Sequence, residues 1–199
     1  PQWSMYLGLR WEGIRIRADG DSFESTRSSS HVWSPIMQTL WKIPDRKGDQ
    51  LRFAVTRTYK APDLYSLLPR RQAYENNSAT EADFQGNPDL KPELAWGFDA
   101  SYEHYWAENA MVSLGASLRR IEDYTSNRIY FDGYRWIFTP VNDGRAETRT
   151  LELETKFPLK SLSEQLPAID VRAGVSRHWS RVESVPGPYN RLDQQTPLT

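Results

Sequence analysis

The feature that most constrains the fold is a strict alternation of side-chain character along two long segments, residues 51–59 and 93–106. In the first segment Leu51, Phe53 and Val55 share one face, and the second segment repeats the pattern on its even-numbered positions. A period of two residues predicts β-strands with one apolar face. Strands in globular proteins have about 5–6 residues, whereas a tilted strand that crosses a bilayer takes about 9–11. The pattern therefore favours membrane-spanning strands.

Two short motifs flank the polar segment between these strands. Residues 58–65 read TYKAPDLY, and residues 86–93 read GNPDLKPE. Their order and spacing resemble the barrel signature of TonB-dependent outer-membrane receptors. In that family an (F/Y)-(K/R)-A-P-x-L-x-x-L strand end is followed, after an extracellular loop, by G-N-P-x-L-x-P-E. The resemblance extends over nearly all 199 residues and is closest to the ferric-siderophore receptors.

The resemblance implies an all-β fold, an antiparallel up-and-down transmembrane β-barrel segment of about eight strands from a larger barrel. Residues 1–199 would form a partial barrel domain, with the plug domain and the remaining strands absent. Family barrels have about 22 strands. The resemblance also implies location in the outer membrane of a Gram-negative cell, contact with outer-membrane lipid, and energy from the TonB complex acting through the plug.

Composition excludes several other classes of protein. The longest apolar run falls short of the roughly 18 residues that a transmembrane helix needs, but each barrel strand is only half apolar and escapes that test. A net charge of −1 gives no electrostatic reason to expect nucleic-acid binding. The chain has no cysteine, which excludes disulfides and thiol chemistry.

Further strands and loops follow from the same alternation. Residues 18–30 and 181–192 are predicted to be polar loops, and the apolar phase changes at Gly13, through either a bulge or the exit from the membrane. Long connections after residues 17, 60, 124 and 182 alternate with short ones after 43 and 106, which is the arrangement of outer-membrane barrels. Strands are predicted at 3–17, 31–43, 110–119, 151–157 and 169–179, with a hairpin at 129–138 turning at Asp132-Gly133.

The tryptophans provide an independent argument for a membrane. Three pairs have an even separation and therefore share a face: Trp3 with Trp11, Trp33 with Trp41, and Trp96 with Trp106. Eight to ten tilted residues span on the order of 20–26 Å, and outer-membrane barrels have an apolar band about 25 Å tall with aromatic girdles at both edges. The alternative is a soluble β-sandwich with core tryptophans, whose strands would be shorter.

Residues for catalysis or metal binding are not evident. His31, His104 and His178 lie on three different predicted strands without the spacing of metal ligands. Zinc-protease, nucleophile-elbow and phosphate-loop motifs are absent. Glu152 and Glu154 share a face that is predicted to line the barrel lumen. We therefore expect no enzyme and no cofactor, with iron present only as part of a transported chelate.

The candidate ligand-binding surface is the rim with the long loops, which carries aromatic and guanidinium groups. These suit a planar, anionic iron chelate through stacking and charge-assisted hydrogen bonds. We expect a ferric siderophore or similar small ligand. Cobalamin, haem or a glycan in the same family, and a soluble β-rich ligand-binding module, remain alternatives. The candidate residues are Tyr65, Arg70, Arg71, Tyr74, Arg128, Tyr130, Tyr134, Arg135 and Trp136.

Overall fold

The computed structural model describes residues 2–21, 23–192 and 195–199. Besides a short helix α1 (Leu64–Leu67) and a 3-10 turn at Leu159–Ser161, the described residues form eleven strands. These are β1 Trp3–Gly20, β2 Phe23–Lys42, β3 Asp49–Lys60, β4 Arg71–Gln72, β5 Asp83–Gln85, β6 Glu93–Ala107, β7 Ala110–Glu122, β8 Thr125–Phe131, β9 Trp136–Asn142, β10 Arg145–Pro158 and β11 Asp170–Val182. Within the described residues, no helix has both the length and the apolar character that crossing a membrane requires.

Seven of these strands form one antiparallel sheet, which we call the wall, in the order β1-β2-β3-β6-β7-β10-β11. Each strand pairs with its neighbour in an up-and-down meander, so the predicted fold class is confirmed. The predicted hairpin at 129–138 does not extend the wall. It becomes β8 and β9 of a second sheet of order β4-β5-β9-β8, built from the two long loops at 61–92 and 123–144.

Strand register puts the apolar side chains on one face of the wall. One row of directly paired residues runs through Trp3, Trp41, Leu51, Tyr102, Leu114, Leu153 and Val175. This face is exposed, with Trp3 at 57% and Leu9 at 67% of full accessibility. Large apolar side chains facing outward all along a sheet reverse the arrangement of a soluble domain.

The opposite, concave face of the wall is polar. It lines a groove of about 690 Å³ to which six strands contribute. Glu152 lies in this groove, as predicted, and Glu154 follows on the same face of β10. Other groove residues are Gln38, Arg52, Asp99, Ser101, Ser117 and Thr150.

The prediction of a loop at residues 18–30 is wrong. The β1–β2 pairing continues through Arg17 and Arg27 to Gly20 and Phe23, and Ser22 lies outside the described residues. The register is unbroken across Gly13, so the bulge suggested there is also wrong. Hydrogen bonds between strands do not require an apolar face, so the polar ends of β1 and β2 continue to pair beyond the apolar band.

Candidate functional site

The two long loops fold together into the four-stranded sheet β4-β5-β9-β8, which we call the loop sheet. Its centre is Asp83, whose side chain is fully buried. Arg135 binds both carboxylate oxygens of Asp83, with Nε–Oδ2 at 2.6 Å and Nη2–Oδ1 at 2.9 Å. The main-chain N–H of Tyr74 and the side chain of Asn77 each donate to Oδ1 at 3.0 Å. A buried charge is tolerated when it is paired and fully hydrogen-bonded in this way.

These contacts determine the ionisation of the pair. The hydrogen bonds from Arg135 hold the pKa of Asp83 well below its usual range; burial acts in the opposite direction, and Tyr74 and Asn77 add to the lowering. The same pairing raises the pKa of Arg135. Asp83 and Arg135 therefore remain charged together at any physiological pH.

Asn77 and Asn142 connect the two loops at separate points. Asn77 accepts from the N–H of Trp136 at 2.7 Å and donates to its carbonyl at 2.9 Å. Asn142 accepts from the N–H of Lys91 at 2.8 Å and donates to the carbonyls of Lys91 and Asp123 at 3.1 and 2.7 Å. The side chain of each asparagine thus binds main-chain groups of the other loop.

The second sequence motif shapes the end of the first loop. A Cβ atom on Gly86 would lie 2.1 Å from the carbonyl oxygen of Leu68, so only glycine fits. The next residue, Asn87, donates its main-chain N–H to Ser66 O at 2.7 Å and its side-chain N–H to Pro140 O at 3.1 Å. The two hydrogen bonds of Asn87 hold the end of the first loop against helix α1 and against β9.

In the first motif Asp63 caps helix α1. Its carboxylate accepts from the Ser66 N–H at 2.9 Å and from the Ser66 hydroxyl at 2.7 Å, and both bonds lower the pKa of Asp63. The helix faces the extended part of the wall, since Leu64 and Leu67 line the same cavity of about 210 Å³ as Ile16 of β1. This contact explains why the apolar residues of β1 change face beyond Gly13: there they face inward, and Ile16 lines the cavity beneath the loop.

Four of the nine predicted site residues are tied into the loop sheet. Tyr65 stacks on Phe84 with ring centroids 4.6 Å apart, and its hydroxyl donates to Gln72. Arg71 bonds to Asp132 at 3.0 Å and to Gln85. Arg135 is the partner of Asp83, and the ring of Trp136 lies 5.5 Å from Phe131. Sequence reasoning identified these residues but missed Asp83, the acid that holds Arg135.

The other five present exposed side chains, namely Arg70, Tyr74, Arg128, Tyr130 and Tyr134. Tyr134 reaches 91% of full accessibility at the tip of the β8–β9 hairpin. Arg70 and Tyr65 line a cavity of about 350 Å³ together with Leu68, Gln72 and Phe84. Arg128 and Tyr130 lie instead on β8, at the edge of the loop sheet. The nine residues thus belong to one folded unit but do not all line one cavity.

The three histidines occupy separate places. The ring of His31 stacks on Trp11, His104 pairs with Asp49 at 2.5 Å, and His178 bonds to Thr150 at 2.9 Å. Among the described residues, no group of three or more metal-binding side chains is placed to hold an ion.

Comparison with known proteins gives a family match over nearly the whole chain. Residues 1–197 match the family described as "TonB dependent receptor-like, beta-barrel". No curated protein sequence matches the chain.

Three solved structures share the fold at low sequence identity. The FrpB iron transporter from Neisseria meningitidis (F3-3 variant) has a TM-score of 0.62 and 13% identity, over 91% of this chain and 24% of that chain. The copper transporter OprC has a TM-score of 0.65 and 14% identity, over 92% and 27%. The siderophore receptor PirA from Pseudomonas aeruginosa has a TM-score of 0.61 and 13% identity, over 87% and 34%. The chain thus spans between a quarter and a third of these structures.

Proposed function

Because this chain belongs to the TonB-dependent receptor β-barrel family, we propose that it supplies barrel wall and two extracellular loops of a receptor for a ferric siderophore or similar iron chelate. Members of this family are transporters and not enzymes. The family is characteristic of the Gram-negative outer membrane. In our proposal the exposed apolar face of the wall contacts the lipid of that membrane. Energy for transport comes from the TonB complex, acting through the plug domain of the complete receptor.

The choice of cargo rests on the combination of cationic and aromatic side chains that the loop sheet exposes. Arg70 and the stacked rings of Tyr65 and Phe84 line one cavity, which offers a cation and aromatic faces to an incoming ligand. Arg128 and Tyr130 repeat that combination on β8, two residues apart and therefore on one face. A ferric chelate that is both anionic and aromatic fits such a surface through charge-assisted hydrogen bonds and stacking. FrpB is described as an iron transporter and PirA as a siderophore receptor, and both descriptions support this choice.

The test is a binding titration of the complete receptor in detergent with a ferric catecholate, followed by quenching of intrinsic tryptophan fluorescence. The double variant Arg70→Gln with Arg128→Gln removes two exposed cations whose guanidinium groups have no ion-pair partner among the described side chains. A hydrogen bond to a charged group contributes about 1.5–3 kcal/mol. We therefore expect binding at least tenfold weaker in the double variant.

The matched control is Lys47→Gln, which removes an exposed cation from the short β2–β3 turn at the opposite rim. It should leave the affinity unchanged. Equal affinity of the double variant and the unmodified receptor would contradict the assignment of the loop sheet. Tight binding of haem, cobalamin, a glycan or copper, with no binding of the ferric chelate, would keep the family role and change the cargo.

A further inference from the structure

The loop sheet has one edge strand, β8, whose main chain has no partner on its outer side. Strand β8 pairs with β9 along its whole length in a regular antiparallel register, and no strand of the described residues lies on its other side. The N–H and C=O groups of such a strand point alternately towards its neighbour and away from it. Hydrogen bonds at the two ends of β8 show which residues point away.

The alternation is the same at both ends of the strand. At the start of β8 the N–H of Thr125 turns away from β9 and donates to Glu93 Oε1 at 3.0 Å. At the end of the strand Asp132 points towards β9, because its N–H donates to Arg135 O at 3.0 Å across the hairpin. Phe131, one residue earlier, therefore points away. The odd-numbered residues of β8 thus present their main-chain groups to the outside.

Three successive outward positions are unpaired. Among the described residues, the main-chain groups of Asn127, Ile129 and Phe131 have no hydrogen-bond partner on the outer side of β8. Alternate residues of a strand lie about 7 Å apart. The edge therefore offers three N–H and three C=O groups at the spacing at which another strand would bind them.

The opposite side of the loop sheet is protected in ways that β8 is not. The far edge strand β4 has only two residues. Strand β9 continues past its pairing with β5, and there Pro140 has no N–H, while its carbonyl accepts from the Asn87 side chain at 3.1 Å. Short edge strands and proline are the usual protections against unwanted pairing. Strand β8 has seven residues and contains neither proline nor lysine.

An apolar row crosses the loop sheet and ends at the β8 edge. Phe84 of β5 is paired with Phe138 of β9, which is paired in turn with Ile129 of β8. The rings of the two phenylalanines lie 6.1 Å apart. Ile129 is 48% exposed and Phe131 is 53% exposed. Exposed apolar side chains beside unpaired main-chain groups indicate a surface that another polypeptide covers.

The charge of this edge indicates what kind of strand fits it. Arg128 has no carboxylate within ion-pair distance among the described side chains. A strand that runs antiparallel to β8 and places one residue opposite Ile129 places its next residue opposite Arg128. Opposite charges in directly paired positions are stabilising. The edge therefore favours an apolar residue followed by aspartate or glutamate.

We propose that the β8 edge binds an extended segment of a partner protein, which adds to the loop sheet as a fifth, antiparallel strand. The segment carries an apolar residue opposite Ile129 and an acidic residue opposite Arg128. In this mode of recognition the main chain provides affinity and alternate side chains provide specificity. Main-chain donors and acceptors at strand spacing are matched by a polypeptide and not by a lipid or a small anion. The proposal depends on the proposed function only in placing the loop sheet outside the cell.

The test uses a fluorescent peptide, Thr-Val-Thr-Val-Glu-Thr-Thr with blocked ends, and measures its binding to the complete receptor in detergent by fluorescence anisotropy. Its two valines would lie opposite Phe131 and Ile129, and its glutamate opposite Arg128. We expect saturable binding. N-methylation of both valines removes the N–H groups that face β8 and should weaken binding about 25-fold, since each hydrogen bond contributes about a factor of five. N-methylation of the third and fifth residues, whose N–H groups face away, should leave the affinity unchanged.

A proline variant tests the same contact from the receptor. Ile129→Pro removes an N–H that points away from β9, so pairing within the loop sheet is retained. It should weaken peptide binding about fivefold or more. The matched control Ile129→Val keeps the N–H and should bind the peptide as the unmodified receptor does. The methylated peptides test the proposal on the unmodified receptor, independently of how either variant folds.

Several results would overturn the proposal. These are the absence of saturable binding, equal affinity for the two methylated peptides, and equal affinity of the proline and valine variants. A receptor dimer that Ile129→Pro dissociates would also overturn it, because the edge would then pair with a second copy. Binding of the ferric chelate is measured in the same samples. Intact chelate binding without peptide binding would therefore reject the β8 edge and leave the proposed function standing.

Discussion

Asp83 supplies the buried half of the ion pair that joins the two long loops. Replacing it with asparagine leaves the shape of the side chain but removes the charge that Arg135 binds, and the partly buried guanidinium then has no carboxylate within ion-pair distance. We expect faster hydrogen exchange throughout the loop sheet in Asp83→Asn, while exchange in the wall strands is unchanged. Hydrogen–deuterium exchange with mass spectrometry on the complete receptor measures both regions together.

A matched control is available in the same loop. Asp89 is an exposed carboxylate with no side-chain partner among the described residues, so Asp89→Asn should leave exchange in the loop sheet as it is. If the two variants behaved alike, the buried ion pair would not be what holds the loops together.

The lowered pKa of Asp83 gives a pH dependence with a definite sign. An unfolded aspartate titrates at about 3.9, and the folded value is lower. The ion pair therefore contributes its full stability above the unfolded pKa and loses it as pH falls through the folded one. The difference in loop exchange between the unmodified protein and Asp83→Asn, corrected for intrinsic exchange rates, should be constant from pH 8 to 5 and shrink only below about 4. A difference that already shrinks between pH 7 and 5 would contradict the assignment.

At the scale of the element, strands with one apolar face were predictable and those without one were not. The wall strands β3, β6, β7, β10 and β11 follow from alternation alone, because each has to bury or expose one face consistently. The outer part of β2, residues 25–30, carries serines on both faces, so its pairing with β1 left no trace in the pattern.

The loop sheet shows a second limit of sequence reasoning. Strands β4 and β5 have two and three residues, and β5 pairs in parallel with β9 from a loop more than fifty residues away. Such short, non-local contacts follow from the side chains that bridge the loops, and a single aspartate in a polar stretch does not reveal that role. The predicted ligand residues lie on the two loops that form this sheet, but the contacts that hold Arg71 and Arg135 were not foreseeable.

Two glycines on the groove face give a prediction for the packing of neighbouring strands. A Cβ on Gly97 of β6 would lie 2.8 Å from Thr56 Oγ1 and 3.0 Å from the side chain of Arg119, whereas one on Gly115 of β7 meets nothing closer than 4.0 Å. We expect Gly97→Ala to cost about 1–3 kcal/mol through overpacking. Gly115→Ala should be neutral or stabilising by up to about 1 kcal/mol. Urea unfolding of the receptor in lipid vesicles measures both, and an equal effect of the two substitutions would contradict the contact at Gly97.

At the scale of the whole molecule, the wall is a sheet with two edges. Within the described residues β1 is paired only on its β2 side. On its other side, β11 is hydrogen-bonded by the irregular segment that follows it, where Asn190 accepts from the N–H of Val182 at 2.7 Å and Thr199 exchanges two main-chain hydrogen bonds with Ser176 at 2.9 and 3.0 Å. Unpaired backbone groups cannot remain in contact with lipid tails. We therefore expect residues 1–199 expressed alone in detergent to form mixed oligomers in light scattering. A monodisperse monomer would show that the edges are satisfied in some other way.

The alternation of faces is the property on which the membrane orientation depends, and the absence of cysteine from the chain makes it directly testable. Single cysteines at Leu7, Leu114 and Val175 lie on the exposed apolar face, and single cysteines at Gln38, Ser101 and Ser117 lie on the groove face. A fluorophore attached at the first three positions should be quenched by brominated lipid when the receptor is reconstituted in vesicles, because those side chains contact acyl chains. The same fluorophore at the second three should not be quenched, whatever else occupies the barrel interior. Equal quenching at all six positions would contradict the assignment of the apolar face to the lipid.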